Sequence, residues 1–121
     1  MAKYSFDHIH LMSPDPVKTA EFYKEMFGAT IVSSRDMGGG RVVVSLKLDA
    51  ITVLISKSAA DGQNGLVHFG MRADNLEEAV PELKAKGVKF TREITQLGPR
   101  IKISFLVAPE NVPIELQEGG F

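Results

Sequence analysis

The chain has no cysteine, which excludes thiolate nucleophiles, Cys-type zinc sites and disulfides and leaves the redox compartment open. It has no excess of charge of either sign. Fourteen Lys and Arg stand against fifteen Asp and Glu, so no basic field is available to grip a phosphate backbone, and no nucleic acid partner is expected. No apolar run approaches the ~20 residues that a membrane span needs. Lys3, Asp7, His8 and His10 occupy the N-terminal stretch where a signal peptide would place its apolar segment. The expected setting is cytoplasmic, without a membrane. What the chain does have is 44% apolar and 24% charged residues over 121 positions, the profile of one globular domain. A domain of that length buries roughly two thirds of its unfolded surface and needs no staple.

The most informative pattern is an imperfect internal repeat. RVVVSLKL at 41–48 resembles RIKISFLV at 100–107, and the same spacing pairs His8 with His68, Gly28 with Gly87, and Leu54 with Glu115. Offsets that stay near 60 residues point to one βαβββ unit duplicated and fused. Three of the four positions in the His8/His68 and Leu54/Glu115 pairs carry side chains able to bind a metal, which suggests a metal site at a pseudo-twofold axis.

Local signals fill in the unit. Ile9 and Leu11 alternate with His8 and His10 over a strand at 5–12. Asp15 and Pro16 open a helix whose apolar stripe of Val17, Ala20, Tyr23 and Phe27 ends at Gly28. Strands at 29–34 and 41–48 flank Gly38, Gly39 and Gly40, and Ile51, Val53 and Ile55 mark a fourth strand. The second half opens with Val67, Phe69 and Met71 alternating with His68, Gly70 and Arg72. Asp74 with Glu77 has capping-box spacing, Pro81 predicts a kinked helix, and Gly87 ends it. Strands near 88–94, 101–107 and 112–117 complete the unit. The expected fold is α+β: two βαβββ modules, about 4–57 and 65–118, joined by a linker at 58–64. They would form an open, curled eight-stranded sheet around a cleft, with the helices on its outer face.

Parity then sorts the side chains. The apolar residues of the first, fourth, fifth and eighth strands have the parity opposite to His8, Leu54, His68 and Glu115, so the ligand candidates share the face away from the helices. His10 shares that face. It is open to three readings, a catalytic base, a residue supporting the ligands, or an ordinary cavity histidine, and a two-residue slip would make it the ligand in place of His8. Arg41 and Arg100 begin the matched strands and are expected, with Lys102 and Ser104, on the cleft side. There they are either an anion clamp for substrate or solvated charges guarding strand ends.

The segments around Phe6 to Leu11, Phe22 to Gly28, Gly65 to Met71, and Ala108 to Leu116 together resemble the vicinal oxygen chelate superfamily over nearly the whole chain. That group includes glyoxalase I, methylmalonyl-CoA epimerase, extradiol dioxygenases, fosfomycin-inactivating thiol transferases and bleomycin-resistance proteins. The resemblance implies metal ligands at His8, His68 and Glu115 holding a divalent Fe, Mn, Ni or Zn ion. It also places the family's usual fourth ligand at Leu54, which cannot coordinate. The remaining set is similar to that of the dioxygenases and thiol transferases, with His10 as the available base and a small oxygen-rich substrate. A metal-free sequestering protein and a four-ligand glyoxalase or epimerase are the alternatives. The resemblance further implies a homodimer, its clefts either within one chain or shared between subunits.

Overall fold

The computed structural model describes residues 1–120. In chain order its elements are β1 (Tyr4–Ser13), α1 (Pro16–Phe27), β2 (Thr30–Asp36), β3 (Val42–Leu48), β4 (Ile51–Lys57), β5 (Gly65–Ala73), α2 (Leu76–Ala85), β6 (Lys89–Gly98), β7 (Ile101–Ala108) and β8 (Val112–Gly119). A single 3-10 turn at Pro109–Asn111 precedes β8. The chain is therefore α+β, with two βαβββ modules in tandem. No helix of the described residues is long and apolar enough to cross a membrane.

Helix ends follow local chemistry, with one change from the sequence reading. The Asp15 carboxylate accepts from the Lys18 amide at 3.2 Å, Pro16 occupies the first turn, and Gly28 closes α1 with φ 72°. In α2 the cap is Asn75, whose side-chain oxygen accepts from the Glu78 amide at 3.2 Å. Asp74, expected as the cap, instead accepts from the Lys3 amide at 2.9 Å. The helix continues through Pro81. Proline has no N–H to give, so the buried Leu76, Ala79 and Val80 must offset the lost bond by packing.

The chain forms two compact units, His8–Val67 and Met1–Asp7 with the chain from His68 onward. In the first, the strands run in the order β2-β3-β4-β1, with β1 parallel to β4 and the remaining pairs antiparallel. Its core joins Ala20 of α1 to Val44, Leu46, Val53 and Ile55, with Ile9, Leu11 and Tyr23 packed against them. In the second, the order is β5-β8-β7-β6, with β5 parallel to β8. Its core joins Leu76, Ala79 and Val80 of α2 to Ala73, Leu106 and Leu116. The N-terminal residues belong here: Ala2 is part of this core, and the Met1 ammonium pairs with Glu78 at 2.5 Å.

Register makes the repeat quantitative. In one unit His10, Leu54 and Ser45 are Cα partners across β1, β4 and β3. In the other, Gly70, Glu115 and Phe105 are partners across β5, β8 and β7. These rows correspond, so Leu54 and Glu115 are equivalent, as the sequence spacing predicts. Ser45 is then equivalent to Phe105, which shifts the matched segments by one residue and makes Arg41 the counterpart of Ile101 instead of Arg100.

The shift also reverses a face. Ser104 is the partner of Leu116, a core residue beside α2, and Lys102 shares its parity and pairs with Glu77 of α2 at 3.2 Å. Lys102 and Ser104 thus lie on the helix side of β7, opposite to expectation. Ser104 is 0% exposed, and its hydroxyl has no hydrogen-bond partner among the described residues. A buried hydroxyl without a partner costs about 1–3 kcal/mol of desolvation. Ser104→Ala is therefore expected to raise stability by about 1 kcal/mol, read from the urea midpoint at constant slope; a loss of stability would show that the hydroxyl is bonded.

Candidate functional site

In the unit His8–Val67, the period-2 geometry of β1 puts His8 and His10 on the face opposite Ile9 and Leu11, which enter the core. His8 is only 2% exposed, an uncommon degree of burial for a histidine on the face opposite the helix. Its ring meets that of His10 edge-on, with centroids 6.3 Å apart and planes at 64°. The His10 Nε2 atom lies 2.7 Å from the Ser56 hydroxyl oxygen. Burial, and secondarily the neighbouring His8, push the His10 pKa down to about 4. At neutral pH its imidazole is uncharged.

In the other unit, His68 on β5 and Glu115 on β8 share a face, because Gly70, two residues from His68, is the Cα partner of Glu115. The His68 ring stands edge-on to Phe105, with centroids 5.2 Å apart and planes at 85°. Phe105 is the cross-strand partner of Glu115, so the aromatic ring that orients His68 comes from the strand position beside the carboxylate. Arg72, on the same face of β5, donates to the Asp7 carboxylate at 2.9 and 3.1 Å and to the Gly119 carbonyl at 2.7 Å.

Arg41 and Arg100 are both exposed. The backbone of Arg41 closes the turn before β3, exchanging bonds with Met37 and Gly38, and the Arg100 carbonyl accepts from the Gly120 amide. Lys102 is held by Glu77. Exposure at a strand end is the setting that the solvated-charge reading of Arg41 and Arg100 describes.

Phe105 and the Asp7–Arg72 pair escaped sequence reasoning, as did the bond of Ser56 to His10. Ser56 has the parity of Leu54 and could have been found as a partner for His10, but only the β1–β4 register reveals the bond. Phe105 lies in the matched repeat segment, hidden by the one-residue misalignment.

A family model described as Glyoxalase/Bleomycin resistance protein/Dioxygenase superfamily matches residues 5–116. The mitochondrial methylmalonyl-CoA epimerase of Homo sapiens is 28% identical over 127 residues, covering 93% of this chain and 72% of that protein. Lactoylglutathione lyase GLX1 of Arabidopsis thaliana is 27% identical over 126 residues, covering 95% of this chain; the chain spans only 44% of that longer protein. Among solved structures, a hypothetical protein from Bacillus halodurans superposes with a TM-score of 0.80 at 18% identity, covering 98% of this chain and 96% of that one. Methylmalonyl-CoA epimerase from Mycobacterium tuberculosis gives 0.74 at 20% identity, covering 96% and 88%. These two likenesses show the fold.

The depressed His10 pKa has a consequence for stability. An unfolded imidazole titrates near 6.5, whereas the folded one titrates at about 4. Between these values the unfolded chain binds a proton that the folded chain refuses, so stability falls as pH falls, by at most about 1.4 kcal/mol per pH unit. The remaining exposure of His10 lowers that slope. Comparing Tm for metal-free wild type and His10→Gln at pH 7 and pH 4.5, the wild type should lose more on acidification. An equal loss in both would show that His10 titrates normally.

Proposed function

We propose that this chain, which belongs to the Glyoxalase/Bleomycin resistance protein/Dioxygenase superfamily, is a divalent-metal-dependent isomerase or lyase that moves a proton at the carbon beside a carbonyl. His8, His68 and Glu115 would hold the ion. The donor set suits it: two imidazoles and a carboxylate accept several first-row divalent ions. Both histidine rings have ring neighbours that limit their rotation, His10 for His8 and Phe105 for His68. Bound there, such an ion supplies a Lewis acid for negative charge developing on a substrate oxygen.

The relatives move the reading from ring cleavage and thiol transfer toward proton transfer. They are named for an epimerase and a lyase, and methylmalonyl-CoA and lactoylglutathione are both thioesters with a hydrogen on the adjacent carbon. The equivalence of Glu115 with Leu54 supports the lyase over the epimerase. Inverting a carbon centre by proton transfer takes a group on each of its faces, one to remove the proton and one to return it. Leucine can do neither. A single carboxylate supports relocation of a proton on one face, the lyase-type outcome, and Glu115 is the group that takes and returns it.

His10 is poorly matched to the role of principal base, because efficient general bases titrate near the working pH and this one is depressed to about 4. Arg41, Arg100 and Lys102 take no part in the proposal.

Two measurements test it. Protein purified without an affinity tag should take up about one equivalent of Ni, Zn, Co or Mn by elemental analysis, with occupancy falling as pH drops through ~6.5, where protons compete for imidazole. His68→Ala should abolish uptake while circular dichroism stays unchanged. Metal-loaded protein should then convert the hemithioacetal of methylglyoxal and glutathione, and Glu115→Gln should cut kcat by roughly 100-fold or more, as loss of a proton-transferring group does. Folded protein that takes up none of these metals would instead be a sequestering protein of the bleomycin-resistance kind.

A further inference from the structure

The two helices hold equivalent places in the repeat but turn different surfaces to solvent. Along α2 the exposed positions are Glu77, Pro81, Lys84 and Ala85, and no large apolar side chain is exposed. Along α1, Val17, Phe22, Met26 and Phe27 are 48%, 51%, 65% and 66% exposed. The Phe22 ring meets Tyr23 edge-on at 5.4 Å between centroids and Phe27 at 6.1 Å, so the rings form one patch. Contiguous apolar surface of this kind marks a contact site, and α2 shows what the same helix looks like without one. From this contrast and from the charge pattern of α1, we infer that the exposed face of α1 docks a second copy of this chain. The two α1 helices pack antiparallel about a twofold axis.

Self-complementarity is what selects a second copy as the occupant. A groove of about 480 Å³ runs along this face, lined among others by Lys18, Glu21, Phe22, Glu25 and Met26. Positions 18, 22 and 25 recur at helical spacing and share a stripe. Lys18 and Glu25 are exposed and of opposite sign, and neither side chain forms an ion pair with another described residue. A twofold axis between positions 21 and 22 sets Lys18 opposite the partner's Glu25 and Val17 opposite the partner's Met26, and brings the two Phe22 rings together. An isologous contact repeats each of these interactions twice. Parallel packing would set Lys18 against the partner's Lys18, so charge chooses the antiparallel arrangement. A 12-residue helix is about 18 Å long and ~10 Å wide, less surface than the ~800 Å² per partner of a standard interface. The dimer is accordingly weak, with Kd on the order of 100 µM. Because α1 packs on the face of its sheet opposite His8 and His10, this pairing leaves the histidine face uncovered.

Sedimentation velocity on the full chain tests the pairing, with circular dichroism to confirm that each variant is folded. Wild type should be monomeric near ~5 µM and substantially dimeric near ~500 µM. Phe22→Ser should weaken association by about tenfold or more, as loss of a central aromatic anchor does. Lys18→Glu and Glu25→Lys should each remain monomeric, because each sets like charges face to face at both ends of the contact. An equimolar mixture of those two variants should associate, since every facing pair is then of opposite sign, and the double variant should regain wild-type affinity. Wild type that stays monomeric at ~500 µM would assign the face to another partner and overturn the inference. A dimer that survives Phe22→Ser and both charge variants would place the interface elsewhere, and folded single variants that fail to associate when mixed would rule out the antiparallel pairing.

Discussion

Two parallel strand pairings, β1 with β4 and β5 with β8, set the terms for everything else. A strand presents alternate residues to opposite faces, and partners across a ladder face the same way, so a register error of one residue would exchange the core with the ligand face. The observed registers bring His10 to Leu54 and Gly70 to Glu115. With those alignments in place, Ile9, Leu11, Val53 and Ile55 reach the α1 core, while Met71, Ile114 and Leu116 reach the α2 core. The chemistry of the opposite face is what remains once the apolar side chains have been assigned. Burial of each large apolar side chain stabilises by about 1.5–3 kcal/mol, which makes slippage too costly to compete.

Duplication followed by divergence explains why the two halves share a framework but differ in donors. Both retain a histidine at the same place on the strand before the helix, His8 and His68. They part at the next row, where one half holds a carboxylate and the other a leucine with an imidazole alongside. Backbone pairing is indifferent to this exchange, because none of these side chains contributes to the helix-side core. Ligand-face positions can therefore change without disturbing the fold, and members of one superfamily carry different chemistries on a single scaffold.

Much of the architecture was legible in the chain because it is written locally. Helix α1 announces itself by Asp15, Pro16 and Gly28, each acting on its own turn, and strand faces follow from alternation alone. Where competing local signals lay side by side, the reading failed. Asp74 and Asn75 can both cap α2, and the choice fell to Asn75 because the Lys3 amide, distant in the chain, claims Asp74. The match of Arg41 with Arg100 failed for a related reason: similar letters suggested an offset that hydrogen-bonded partners on β4 and β8 correct by one residue.

The chain alone established its two-module α+β plan, the ends of α1 and the side of each ligand-bearing strand that carries histidine or carboxylate. These depend on interactions within a few residues, or on a period that any reader of the sequence can count. Only the folded molecule decided that His10 bonds Ser56, that Phe105 orients His68, that Lys102 turns to the helix, and that Ser104 is buried without a partner. Each of these joins residues brought together by strand pairing or by helix packing. That register is selected by the packing of the whole core against its helix, a property no short stretch of residues possesses.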